Sequence, residues 1–96
     1  MVLRKNIPST ASVVQKTNGD QLHSPAAERN AGDIVRVVCD YAPKNGNALE
    51  IASGTGQHIV ELAALIPNLI WQPSDIAENR LNSISSRSLE KQLPNL

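Results

Sequence analysis

The stretch from Leu49 to Asp75 constrains this chain most, because it places a glycine-bearing turn between two acidic residues. It begins Leu49-Glu50-Ile51-Ala52-Ser53-Gly54-Thr55-Gly56-Gln57-His58. The short apolar run at 48–51 predicts a buried strand. Gly54 and Gly56 predict a tight turn, because glycine adopts positive φ and lets a ligand approach the backbone closely.

A helix and a second strand are predicted after this turn. Pro67 and Asn68 end the helical pattern, and the apolar run at 69–71 predicts a strand that leads to Asp75. Strand, glycine turn, helix, strand and acid together form half of a nucleotide-binding βαβ unit. The helix is indicated by apolar residues at a spacing of three to four: Ile59, Leu62, Ala63 and Ile66.

The two acids indicate the kind of ligand. Glu50 lies at the carboxyl end of the first predicted strand, and Asp75 follows the second strand, near the spacing of about 20 residues at which an acid meets ribose hydroxyls. The first N–H groups of the helix after the turn have no intrahelical partner and are available to a ligand. Two carboxylates suit a ligand with hydroxyls and a positive charge better than a pyrophosphate, which disfavours NAD.

These residues carry a family resemblance. Leu49–Gly56 resembles the first motif of class I S-adenosylmethionine-dependent methyltransferases. Together with Ser24–Asn30 and Trp71–Asp75, it resembles more narrowly an uncharacterised methyltransferase-like family, the one that includes methyltransferase-like protein 26. The resemblance extends over roughly residues 24–84. It implies an α/β fold, the amino-terminal part of a Rossmann-like doubly wound parallel sheet, with S-adenosyl-L-methionine as the cofactor.

The resemblance also implies roles for individual residues. Gly54 and Gly56 would line the methionine end of the cofactor, Asp75 would hold the ribose, and Glu50 would act mainly through the turn and its bound waters. Ala52 departs from the family pattern, which has glycine there. The full set of implied cofactor-binding residues is Arg29, Glu50, Ser53, Gly54, Thr55, Gly56 and Asp75.

Arg29 belongs to this set because a guanidinium binds a carboxylate in a bidentate manner, and a helix at these positions is able to lie over the cofactor cleft. For Ser53 and Thr55, helix capping is favoured over ligand contact. His58 is interpreted as a polar residue exposed at a helix start, with a general base as the alternative. Trp71 is interpreted as a core or adenine-adjacent residue.

Two further helices flank the central stretch. Ser24 as N-cap and Pro25 start the first, whose predicted buried face is Ile34, Val37, Val38 and Tyr41, with Cys39 as an inert filler. The second spans 76–92, and its serines predict a broken or frayed helix. Its apolar side is Ile76, Leu81, Ile84 and Leu89. Residues 93–96 resemble the approach to another strand.

The chain divides into an arm at 1–23 and a partial nucleotide-binding domain at 24–96. Asn18-Gly19 between short apolar runs predicts a hairpin in the arm, and a transit peptide is the weaker alternative. Two strands are few for a doubly wound sheet, so we expect the amino-terminal portion of a larger domain. Apolar strand edges should then be exposed and able to support self-association.

Composition excludes several function classes. Nine basic residues balance nine acidic ones, so neither a nucleic-acid footprint nor a membrane-binding patch is indicated. Cys39 is the single cysteine, which excludes an internal disulfide and a cysteine zinc cluster. No cluster of residues has metal-ligand spacing, so no metal is predicted. Apolar runs fall short of the roughly 20 residues of a membrane helix, and a reducing cytoplasmic compartment is expected.

Three functions remain open at this point. The first is a methyltransferase with an unidentified acceptor and unassigned catalytic residues. The second is a dinucleotide-binding oxidoreductase, although a third glycine is missing and Val60 occupies a position where a small residue is expected. The third is a non-catalytic cofactor-binding or assembly module.

Overall fold

The computed structural model describes residues 14–16 and 19–96. This part of the chain is an α/β structure with three helices, a two-stranded parallel sheet and a small antiparallel hairpin. None of the helices within it is both long and apolar enough to cross a membrane. The elements in order are β1 (Gln15–Lys16), β2 (Leu22–His23), α1 (Pro25–Tyr41), β3 (Gly46–Glu50), α2 (Gln57–Leu65), β4 (Leu69–Pro73) and α3 (Glu78–Lys91).

Helix α1 begins where the sequence predicts. The Ser24 side chain accepts a hydrogen bond from the Ala27 N–H, and Pro25 occupies the first helical position. The predicted buried face is wrong, because Val37 is 51% exposed and Tyr41 is 85% exposed. The helix instead turns a neighbouring stripe to the core, formed by Val35, Val38, Cys39 and Ala42. Both stripes have helical spacing, so periodicity alone did not separate them.

Strands β3 and β4 are parallel and joined by α2, which packs against β4, α1 and α3. Ala48 lies opposite Trp71 in the register. Trp71 is buried in the core, as predicted, together with the four apolar α2 residues that the periodicity identified. On the other sheet face Leu49 and Ile70 are 63% and 59% exposed. The predicted exposure concerned the strand edges rather than this face, and it stays a prediction.

Asn95 closes the outer side of β4. Its backbone carbonyl accepts the Trp71 N–H at 2.8 Å. Its side-chain amide, which is buried, donates to the carbonyl oxygens of Ala63, Ile66 and Leu69 at 2.9, 3.2 and 3.0 Å. The segment at 93–96 therefore runs beside the edge of β4, and it supplies a donor to carbonyls at the end of α2, where intrahelical donors run out.

Helix α3 is continuous from Glu78 to Lys91, so the predicted break is wrong. Of its predicted apolar side only Ile84 is buried, and Ile76 precedes the helix and is fully exposed. Ser83 is buried instead, because its hydroxyl accepts the Leu22 N–H at 2.7 Å and donates to the Thr55 carbonyl at 2.8 Å. A serine that weakens an isolated helix here joins that helix to two other segments.

The predicted antiparallel pairing in the arm is found, with Gln15 opposite His23 and Gly19 in the turn at φ +59°. The predicted hairpin residues Ser12, Val13 and Asn18, and most of the possible transit peptide, lie outside the described residues. Arg87 of α3 donates to the carbonyls of Leu22 and Thr55. The arm is thereby held close to the glycine turn.

Candidate functional site

Four residues at the carboxyl ends of β3 and β4 join the glycine turn to the following strand, and we call them the clasp: Ser53, Gly54, Ser74 and Asp75. The Ser53 N–H donates to the Ser74 carbonyl at 2.7 Å, and the Ser74 N–H donates to the Ser53 hydroxyl at 3.0 Å. The Gly54 N–H donates to Asp75 Oδ2 at 2.9 Å. The clasp places the turn and the second acid side by side, as the sequence predicted.

The two glycines of the turn have different structural roles. Gly54 has φ +62°, and a Cβ added there would meet no atom within 4 Å. Gly56 has φ +91° and is buried, and a Cβ there would lie 2.7 Å from Ile84 Cγ1. Gly54 therefore faces open space suited to a ligand, whereas Gly56 allows α3 to pack against the turn. The expectation that both glycines line a ligand is therefore geometrically possible for Gly54 and is opposed by packing for Gly56.

Ala52 has φ +56°, in the left-handed region that costs an L-residue about 1–2 kcal/mol. The sequence resemblance led us to expect glycine at this position. The backbone therefore keeps the conformation that glycine would adopt freely, although the residue is alanine.

Glu50 has a carboxylate that the protein itself leaves incompletely satisfied. Its Oε1 atom is buried and has no hydrogen-bond partner in the part of the chain that the structure describes. Burial raises the pKa of Glu50 above its ordinary 4.5, while a hydrogen bond from Ser53 and the field of His58 act in the opposite direction. A buried acceptor without a partner costs stability, which is the physical reason for the raised pKa.

Asp75 is held by backbone N–H groups on both oxygens. Oδ1 accepts from Ala77 at 2.9 Å, and Oδ2 accepts from Gly54. The Ala77 hydrogen bond lowers the pKa of Asp75 most, and Gly54 and the Arg80 charge lower it further. Each carboxylate oxygen retains a second lone pair, so Asp75 is still able to accept two hydroxyl groups.

Two cavities flank the turn. The arm cavity, about 240 Å³, lies between the arm, the start of α1 and the start of α2, and its lining includes Val14, Ser24, Gly54 and His58. The strand-end cavity, about 430 Å³, is lined by Ile51, Ala52, Ser74, Asp75, Ile76 and Arg80. Ala52 and Arg80 line both cavities. A ligand lying over the turn would contact both.

A larger cavity of about 490 Å³ lies away from the turn, between α3, Pro73 and residues 92–96. Its lining is apolar or uncharged: Pro73, Ile84, Ser85, Ser88, Leu89, Gln92, Leu93, Pro94 and Leu96. The titratable groups with shifted pKa values at the turn make the two smaller cavities the better candidate site.

Three predicted roles need correction. Ser53 and Thr55 do not cap α2, because Gly56 is the N-cap and makes no side-chain capping bond. Ser53 bonds within the clasp, and the buried Thr55 hydroxyl donates to Gln57 Oε1 at 2.7 Å. Arg29 is exposed on α1 and lines neither cavity at the turn.

His58 is half-buried rather than exposed. Its Nε2 lies 3.0 Å from the Ala27 carbonyl and 3.1 Å from Asn30 Oδ1, so α1 and α2 meet at this imidazole. A carbonyl oxygen only accepts, so Nε2 carries the proton and Nδ1 is the basic atom of the neutral ring.

Sequence reasoning missed Gln57, Ser74 and Arg80. Gln57 Oε1 accepts from both the Ser24 N–H and the Thr55 hydroxyl, and Ser74 belongs to the clasp. The nearness of Ser74 to Asp75 was a usable signal. The sequence contained no such signal for Arg80, because the position of Arg80 beside the turn depends on the direction in which α3 runs after the clasp. Among residues 14–16 and 19–96, no three His, Cys, Asp or Glu side chains are grouped to hold a metal.

The fold and site define a small α/β protein with a glycine turn held between two acids. The family model described as "Protein of unknown function (DUF938)" matches residues 21–96, and the chain belongs to this family. No solved structure matches the chain.

Proposed function

We propose that this chain binds S-adenosyl-L-methionine as the cofactor-binding part of a class I, Rossmann-like methyltransferase. The observation that carries the proposal is the hydrogen bond from the Gly54 N–H to Asp75 Oδ2, 2.9 Å long, between the ends of neighbouring parallel strands. It joins a left-handed glycine with open space beside it to an acid with spare acceptor capacity. Ligands of open α/β sheets bind at this end of the strands.

The residues present fit this cofactor chemically. Asp75 lines the strand-end cavity and has lone pairs left for two ribose hydroxyls. Ile51 and Ile76 give the strand-end cavity an apolar wall beside Asp75, as a nucleoside base requires. Two negative charges also favour a ligand that carries a positive sulfonium.

When bound, the cofactor supplies an electrophilic methyl group. The chain's contribution is then to hold the nucleoside in one orientation, through the clasp and Asp75, and to keep the amino-acid end near Glu50. His58 lines the arm cavity, and its Nε2 is bonded to the Ala27 carbonyl.

The dinucleotide alternative fits less well. The Gly54 N–H, which a pyrophosphate would need as a donor, is already bonded to a carboxylate. A phosphate placed there would face Asp75 and lie near Glu50, and like charges at such distances repel. The alternative of a non-catalytic module shares the same cavity, and methyl transfer from labelled cofactor into a cell extract distinguishes it from the enzyme.

The test is calorimetric titration of the whole chain with S-adenosylhomocysteine and, separately, with NAD. We expect the first ligand to bind and NAD to give no heat of binding. Asp75→Asn keeps an acceptor for one of the two backbone N–H groups and removes the charge and the other acceptor. Affinity should fall about tenfold or more, and stability by about 1 kcal/mol. Asp75→Ala and Gly54→Val should abolish binding.

Asp40→Asn is the matched control, because Asp40 is an exposed acid on α1 outside both cavities. Its affinity should equal that of the parent. Equal affinities for the parent, Asp75→Ala and Gly54→Val would show that the ligand binds elsewhere, and tight binding of NAD alone would favour the oxidoreductase.

A further inference from the structure

Arg80 is the cation that lines both cavities at the turn. It lies in the first turn of α3, is half-buried, and lines both the arm cavity and the strand-end cavity. Within the described residues its guanidinium makes no hydrogen bond or ion pair, although its charge acts on Asp75. A half-buried guanidinium with its donors unused is suited to a planar anionic group.

Other arginines of the described region are placed differently. Arg87 donates to the carbonyls of Leu22 and Thr55, and Arg36 pairs with Asp33 at 3.4 Å. Arg29, which the sequence suggested as the carboxylate partner, is exposed and lines neither cavity. The contrast with Arg29 is informative, because both residues lie near the start of a helix and only one faces the turn.

We propose that Arg80 binds the carboxylate of the cofactor's amino-acid end, and that it thereby selects ligands that carry this group. This inference rests on the proposed function. It deepens the assignment of the site, because it names the side chain of the cavity wall that recognises the carboxylate of the ligand.

The charges around the turn support this arrangement. Glu50 and Asp75 alone would repel a carboxylate brought over the turn, and Arg80 supplies the opposite charge at the boundary of both cavities. The bidentate geometry of guanidinium with carboxylate adds direction to that attraction. Lysine at this position would keep the charge and lose the two parallel hydrogen bonds.

The experiment measures two dissociation constants for each variant of the whole chain. The probes are S-adenosylhomocysteine and its decarboxylated analogue, which keeps the ammonium and lacks only the carboxylate. For the parent we expect S-adenosylhomocysteine to bind about tenfold or more tighter than the analogue. Arg80→Gln should remove this preference by weakening S-adenosylhomocysteine alone, and Arg80→Lys should give an intermediate loss.

Arg29→Gln is the matched control and should keep the full preference. Melting temperatures of all variants should stay close to that of the parent, because the Arg80 side chain makes no hydrogen bond within the described region. If Arg80→Gln fails to fold, the loss of preference in Arg80→Lys decides the proposal by itself.

The outcomes separate the two proposals. Loss of preference in Arg29→Gln, or equal weakening of both probes in Arg80→Gln and Arg80→Lys, would overturn the role of Arg80 and leave the proposed cofactor intact. Absence of binding of both probes to the parent would overturn the proposed function, and the role of Arg80 with it.

Discussion

Replacing Gly56 with alanine tests whether this glycine serves packing rather than ligand approach. The new methyl would lie 2.7 Å from Ile84 Cγ1 and 3.1 Å from Ile84 Cα. Because the Cα atom belongs to the backbone of α3, a change of the Ile84 rotamer alone cannot relieve the clash. Overpacking of this kind costs about 1–3 kcal/mol, and alanine at φ +91° adds about 1–2 kcal/mol of backbone strain. We expect Gly56→Ala to lower the free energy of unfolding by about 2–5 kcal/mol.

Gly54→Ala is the control, because its φ of +62° is also left-handed while its Cβ would meet open space. Only backbone strain remains there, and part of it is offset by the reduced entropy of the unfolded chain, so the loss should be about 1 kcal/mol or less. Urea unfolding followed by circular dichroism measures both variants. Equal losses for the two would refute the packing argument.

A double-mutant cycle sharpens the comparison. In an Ile84→Ala background the closest atom, Cγ1, is gone, so Gly56→Ala should cost less there by about 1 kcal/mol or more. An unchanged cost would mean that the clash with Ile84 is not what makes glycine necessary.

Three further predictions concern strain, burial and hydrogen bonding. Ala52→Gly should raise the free energy of unfolding by about 0.5–1 kcal/mol, because φ there is +56°. Ala64→Gly, on the exposed side of α2, is the control and should lower the free energy of unfolding by about 1 kcal/mol. A loss of stability in both variants, measured by urea unfolding, would contradict the strain argument. Burial raises the pKa of Glu50 in the folded state, so folding favours the protonated carboxyl group. The contribution of this group to stability is therefore fully present below pH 4.5 and is lost as the pH rises through the folded-state pKa. Glu50→Gln should therefore raise the melting temperature at neutral pH and leave it unchanged at about pH 4. The same variant should weaken the binding of S-adenosylhomocysteine about tenfold. A loss of both stability and binding at neutral pH would contradict this prediction. Asn95→Ala should cost about 2–3 kcal/mol in urea unfolding, since its side chain serves three backbone carbonyls, and a cost below about 0.5 kcal/mol would contradict that role.

Much of the fold was accessible from the sequence because its signals are local. Ser24-Pro25 starts α1, and the spacing of Ile59, Leu62, Ala63 and Ile66 identifies the buried face of α2. These features depend on neighbours within one or two turns. The parallel pairing of β3 with β4 follows from the short helix that connects them.

The errors arose where distant segments decide the outcome. In α3, Ser83 is buried because its hydroxyl bonds to Leu22 and Thr55, and no local pattern indicates those partners. The buried face of α1 was misassigned because two apolar stripes have equal spacing, and contact with α2 selects between them.

For the candidate site too, local features were predicted and features that depend on distant segments were not. The turn and its two acids were predicted in sequence order, and the clasp brings Gly54 and Asp75 together as expected. The assignment of Arg29 depended on how α1 lies over the sheet, which the sequence does not determine, and Arg80 faces the cavities instead. The Gly56 contact with Ile84 was equally inaccessible, because it depends on the path of α3.

The most direct test of the central claim is a backbone-amide NMR titration with S-adenosylhomocysteine. We predict that the largest shifts fall on Gly54, Asp75 and His58, which surround the turn. Shifts confined to Leu89 and Leu93, beside the uncharged cavity along α3, would contradict the claim that the glycine turn between Glu50 and Asp75 is the cofactor site.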